Sequence, residues 1–311
     1  MNKNTLKGAL LTTLGAACWG LSGSMGQYLF TVQKMDSRWL VPIRLGLAGI
    51  ILLIYSMFKN KKEVMLPWKT KKSAGIMLIY GLIGVSFCQF FYFLTIELST
   101  AAVGTILQDL APIFILIFTC IFSRRFPKKI EVGSITMALV GVFFITTHGN
   151  LSSMTVPSKA LLAGVLSGMC VAVYNILAPK LSNIPVFVIQ GWSFFLGGVT
   201  GSIGFRIWEF KYIPNIYGII GIIFVVVVGN ILAFNLYVSG VQLIGPNKAI
   251  LYSFAEPITA TIISTTVLGS VFSIYDAVGF LMIFIMLWLI TVKENEVSIP
   301  KKTKKISRYT I

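Results

Sequence analysis

Charge is what this 311-residue chain has least of: ten Asp and Glu in all, and only 12% Asp, Glu, Lys and Arg together. A soluble domain carries about 25% charged residues, so roughly half of the usual surface charge is missing. With 56% of residues in the set AVILMFWYC and a mean hydropathy of +0.85, no water-soluble fold could hide the apolar surface. Histidine occurs once, as His148, and cysteine four times, at Cys18, Cys88, Cys120 and Cys170, each inside a separate apolar run. That spacing excludes CxxC metal sites and a disulfide framework and predicts free thiols. GxxxxGK[ST], HExxH and GxSxG are all absent, which removes the common ATPase, metalloprotease and serine-hydrolase readings; no metal or cofactor is expected.

What is present is a series of apolar runs. A membrane-spanning helix needs about 20 apolar residues. Runs of that kind lie near residues 8–30, 39–58, 73–94, 101–122, 130–147, 159–179, 185–205, 215–237, 247–268 and 274–292. The first resembles a secretory signal, with Lys3 and Lys7 before an apolar stretch and Ala16-Ala17-Cys18 inside it. Its apolar run continues through Phe30, however, and a similar segment, Ala160 to Gly164, recurs in mid-chain, so it is read as a span.

The bases outnumber the acids, 26 to 10, for a net charge of +16. In a soluble protein that excess would suggest nucleic acid; here its placement argues otherwise, and no nucleic-acid partner is expected. With the first residue cytoplasmic, the inner connections hold 19 Lys and Arg, among them Lys59 to Lys72, Arg124 to Lys129 and the Lys-rich tail, against four outside. Cytoplasmic loops retain basic residues, so both termini are expected inside, in contact with the bilayer surface. The tail, residues 293–311, reads as a disordered topological anchor, with anionic lipid as the alternative contact.

The chain also repeats itself. Residues 84–114 align without gaps on 229–259, pairing Gly84 with Gly229, Phe91 with Leu236, Tyr92 with Tyr237, Leu98 with Leu243 and Pro112 with Pro257. The offset of 145 then slips to 146, pairing Gly133 with Gly279. Five spans per half is an odd number, so the second half enters the membrane upside down. The expected fold class is therefore an all-α integral membrane protein of ten transmembrane helices, built as two inverted-topology five-helix repeats over 1–150 and 151–292. Inverted halves are typical of secondary transporters, since two similar bundles rocking about a shared site open alternately to each side.

Several stretches carry a family resemblance: Trp19-Gly20-Leu21-Ser22-Gly23, Ile43-Arg44-Leu45-Gly46-Leu47-Ala48, Tyr92-Phe93-Leu94 through Ser99-Thr100-Ala101-Ala102 to Pro112, and Leu236-Tyr237 through Lys248-Ala249-Ile250-Leu251 to Glu256-Pro257. In this order the chain resembles the EamA-like branch of the drug/metabolite transporter superfamily. The resemblance implies a ten-helix carrier of the plasma membrane, often an exporter of amino acids, metabolites or drugs. Where the family usually has a Gly-Glu pair at the ends of spans 4 and 9, this chain has Ser123-Arg124 and Gly269-Ser270.

An ionisable group near the bilayer centre costs at least about 2.5–3.5 kcal/mol on insertion scales, so it marks a functional site by default. Asp109 lies about eight residues into span 4 and Glu256 about nine into span 9, with Pro112 and Pro257 close behind. A helix-interior proline leaves the carbonyl four residues earlier without its donor, here those of Gln108 and Ser253. Both acids are expected to line a transport cavity; the alternative pairs Asp109 with Arg44, and Glu256 with Lys248 or a tyrosine. Lys248, Tyr252 and Glu256 at i, i+4 and i+8 are expected to share one helix face. Gln89, Tyr92, Tyr174, Asn175, Asn230, Asn235, Tyr237 and Trp19 are further cavity candidates, with interhelical bonding or packing as their other role. A carboxylic acid taken out of water holds its proton more tightly, which makes Asp109 or Glu256 the expected carrier in proton-coupled export of a small-molecule solute. A uniporter or exchanger is the alternative. A membrane enzyme, a lipid-handling scaffold and a pore are the rivals from other classes. The sequence leaves solute and oligomeric state open.

Overall fold

Ten helical rods follow one another in a computed structural model that describes residues 3–150, 155–245, 249 and 252–297. They are α1 (Lys3–Thr31), α2 (Ser37–Val64), α3 (Lys71–Leu98), α4 (Ala101–Phe122), α5 (Lys129–Thr147), α6 (Ser158–Leu177), α7 (Val186–Gly204), α8 (Ile216–Ile244), α9 (Ala255–Thr266) and α10 (Ile274–Val297). No strand occurs among the described residues. The starts are set by local chemistry. Side chains of Asp36, Thr70, Thr100 and Asn215 accept hydrogen bonds from the first free N–H groups of α2, α3, α4 and α8. Ser273 and Asp276 bond each other's backbone N–H reciprocally at the start of α10.

Seven of the rods, α2 to α8, are long and apolar enough to cross a membrane. Ile274–Leu289 of α10 is a shorter apolar segment. The outer surface carries Leu10, Ile54, Phe87, Leu139, Leu162, Ile203, Ile220, Ile262 and Leu281, each roughly half or more exposed. Such a surface suits lipid, where only fully hydrogen-bonded helices or closed barrels are stable. α1 is long but is diluted with Gly, Ser and Thr on the side that packs against α3, α4, α8 and α9, while Leu6, Leu10 and Leu14 are exposed.

Much of the packing repeats under exchange of the first five rods with the last five. α1 packs on α8 and α9, and α6 on α3 and α4; α2 touches α8, and α7 touches α3; α2 pairs with α7, α4 with α9 and α5 with α10. Closest approach is between α2 and α7, where a Cβ built on Gly49 would stand 2.7 Å from Phe195 Cα and one on Gly198 would enter the Gly46 backbone. Both α3 and α8 widen into π-helix at matching places, Ile79–Ser86 and Val225–Leu232. In α3 the extra residue is held by Ser86, whose Oγ donates to Gly81 O at 2.6 Å and to Ser193 O of α7 at 3.2 Å.

Two sequence expectations are corrected here. α3 and α8 outrun the predicted spans, since capped ends let each helix continue past its apolar core. α10 continues to Val297, inside the predicted tail, while residues 298–311 lie outside the described residues. His148 Nε2 stands 3.1 Å from Asp276 Oδ1 and fastens the end of α5 to the start of α10.

Candidate functional site

Two helices are broken where proline predicts. In α4 the first segment ends at Gln108, the chain tightens at Asp109 (φ −66°, ψ −2°), and helix resumes at Ala111. Leu110 N bonds to Leu107 O at 3.3 Å and Ile113 N to Leu110 O at 2.9 Å, three-residue closures that replace the bond Pro112 cannot make. In α9 a turn at Phe254 precedes the helix that begins at Ala255. This turn breaks the expected stripe: Ser253, Phe254 and Glu256 face inward while Tyr252 is absent from the cavity wall. Lys248 lies outside the described residues.

The breaks border a cavity of ≈ 390 Å³. Of the predicted residues, Trp19, Arg44, Gln89, Tyr92, Gln108, Asp109, Pro112, Tyr174, Asn175, Asn230, Tyr237 and Glu256 line it. Pro257 is buried behind the wall. Asn235 departs from expectation: it is exposed on the outer side of α8 and accepts a 3.4 Å bond from Ser239 Oγ. The helical widening at 225–232 turns Asn230 inward, whereas Asn235, five residues on, falls on the opposite side. Ser22, Tyr80, Phe93, Gln190 and Ser253 also line the cavity and were missed. Gln190 had a usable signal, a single amide within an apolar span, the same one that pointed to Gln89.

The alternative, an Arg44–Asp109 pair, does not form. Arg44 is 1% exposed, donates from Nη2 to Gln89 Oε1, and holds its Cζ 3.7 Å above the Phe93 ring. That contact uses the planar guanidinium, as a lysine could not. The ion pairs among the described residues are Asp36–Arg38, Glu131–Arg125, Asp276–His148 and Glu209–Arg206, so neither cavity acid takes part in one. Glu256 lies close enough for its charge to interact with Asp109, Tyr92, Tyr174 and Tyr237. Gln108 is fixed by Ser167 Oγ, which donates to its Oε1 at 3.0 Å; Trp19 and Tyr237 pack at 4.9 Å between ring centroids.

Six buried side-chain atoms lack a hydrogen-bond partner among the described residues, and four belong to this wall: Arg44 Nε, Tyr92 OH, Asp109 Oδ2 and Asn230 Nδ2. Each such atom costs about 1–3 kcal/mol. Native proteins retain few of them, so a cluster around one cavity is the mark of a site built for a polar occupant.

A polar cavity within an apolar helical bundle is an arrangement that multi-pass membrane transporters use. The EamA-like transporter family matches residues 6–147 and again 158–292, and the chain belongs to that family. The uncharacterized inner membrane transporter YicL of Salmonella typhimurium is 34% identical over 289 residues, covering 93% of this chain and 96% of that one. YedA of Escherichia coli, another uncharacterized inner membrane transporter, is 23% identical over 85% of each chain. A solved crystal structure shares the fold with a TM-score of 0.63 at 14% identity, over 96% of this chain and 98% of its own. The protein is accordingly a transporter of the cell membrane, with several spanning helices.

Proposed function

We propose that this protein is a secondary active transporter that exports a small organic solute by alternating access, with proton coupling through Asp109 or Glu256. The observation that carries the reading is the cavity itself: α4 and α9, equivalent helices of the two halves, are both interrupted there and each delivers one carboxyl group. The repeated packing and the matched π segments support ten spanning helices arranged as an inverted repeat. The family points to transport rather than catalysis. Two acids against one caged guanidinium favour a solute with a protonated amine, such as an amino acid or an organic cation.

The test is counterflow in proteoliposomes, after a thermal-shift screen against amino acids, nucleobases, polyamines and cationic dyes has identified a solute. Saturable uptake of labelled solute, accelerated by unlabelled solute on the opposite side and by an imposed pH gradient, is the expected result. Uptake that does not saturate would indicate a pore; counterflow indifferent to pH would leave a uniporter or exchanger. Arg44→Met should leave the melting temperature at or above that of the parent, since a buried charge is often replaceable by an apolar side chain at no loss. If Arg44 recognises solute, the same variant loses the solute-induced shift.

A further inference from the structure

Gln27 of α1 is 3% exposed and spends its amide on three different segments. Its Oε1 accepts from Ala101 N, the first residue of α4, at 2.8 Å and from Ser264 Oγ, near the end of α9, at 2.9 Å. Its Nε2 donates to Ser270 Oγ, in the connection after α9, at 2.8 Å. Ser270 N folds back onto Ser264 O at 2.8 Å, closing the ring of bonds. The first N–H groups of a helix have no intrahelical acceptor, so Gln27 supplies one that α4 would otherwise lack.

This knot lies just past one end of the cavity. Toward it the wall stops at Ser22 on α1, Phe93 on α3, Gln108 on α4 and Glu256 on α9. Away from it the wall runs on to Tyr80, Ile115 and Val238. By 1.5 Å per residue, Gln27 stands about 7 Å beyond Ser22. The count of basic residues assigns this end to the outside. α4 and α9, the two interrupted helices that carry the acids, are thus tied together by one side chain on the far side of their breaks.

We propose that Gln27 is the outer latch of the transporter: its bonds to α4 and to the end of α9 hold the cavity shut on the outside and must break for it to open there. The proposal rests on the alternating-access reading. Native Cys88, in the cavity wall, is the reporter, in a chain with Cys18→Ala, Cys120→Ala and Cys170→Ala. A membrane-impermeant maleimide is applied from the outside of intact cells and, separately, from the inside of inverted vesicles. Gln27→Leu keeps the volume and removes all three bonds; Ser270→Ala removes one. Outside labelling of Cys88 should rise about tenfold in Gln27→Leu, and less in Ser270→Ala, with no matching rise from the inside. No rise from the outside, or an equal rise from both faces, overturns the latch. If Gln27→Leu yields no folded protein, Ser270→Ala is judged by the same criterion. Equal labelling of the parent from both faces would instead defeat alternating access, and so is distinguishable from failure of the latch alone.

Discussion

Asp109→Asn and Glu256→Gln are each expected to cut flux driven by a pH gradient by roughly 10- to 100-fold, the value of one charge-assisted hydrogen bond. Both substitutions keep shape and remove only the ability to carry charge and exchange a proton. Among the described residues neither acid is held by an ion pair, so neither change strands a basic partner there. Folding should therefore survive, with a melting temperature at or above the parent's, because an acid buried without full pairing is a liability that the amide relieves. Loss of flux with intact folding locates the effect in transport. The two acids interact with each other, so the double variant should lose less than the product of the single effects. Initial rates in proteoliposomes settle the matter: parent-level, gradient-driven rates in both variants would dismiss these acids as proton carriers.

The second large effect is structural. Gly49→Leu is expected to deplete folded protein from the membrane, because α2 and α7 meet backbone to backbone there. Overpacking a close contact costs about 1–3 kcal/mol when side chains can yield, and here the obstacle is the Phe195 backbone. That is a large share of the roughly 5–15 kcal/mol that holds a folded domain together. Gly133→Leu is the matched control, since nothing lies within 4 Å of a Cβ at that position. Size-exclusion profiles of detergent extracts should lose the monodisperse peak for Gly49→Leu and keep it for Gly133→Leu. A normal peak for Gly49→Leu would mean that the two helices can separate without harm.

Most of the site was legible because membrane burial makes polar residues conspicuous. Asp109, Glu256, Gln89 and Asn230 stand out as acids or amides in predominantly apolar runs, and all four line the cavity. The failures have local causes. Tyr252 was placed by regular 3.6-residue periodicity, which stops being valid at the turn before Ala255, and Asn235 by its polarity alone, although beyond the π segment at 225–232 it is exposed. The alternative pairing of Arg44 with Asp109 rested on charge alone, and the guanidinium instead takes the Phe93 face and Gln89. Gln27 escaped notice because nothing along the chain distinguishes an amide that lines a cavity from one that ties three segments together.

By itself the sequence determined the membrane class, the number and order of the helical rods, the internal repeat and the place of the two acids beside proline breaks. These follow from hydropathy, proline position and spacing, which are properties of the chain read one segment at a time. Only the tertiary structure decided which polar groups share one cavity and which partners the ionisable groups take. Those depend on how helices are rotated about their axes and how closely their backbones approach, and a single glycine contact or one π turn resets both.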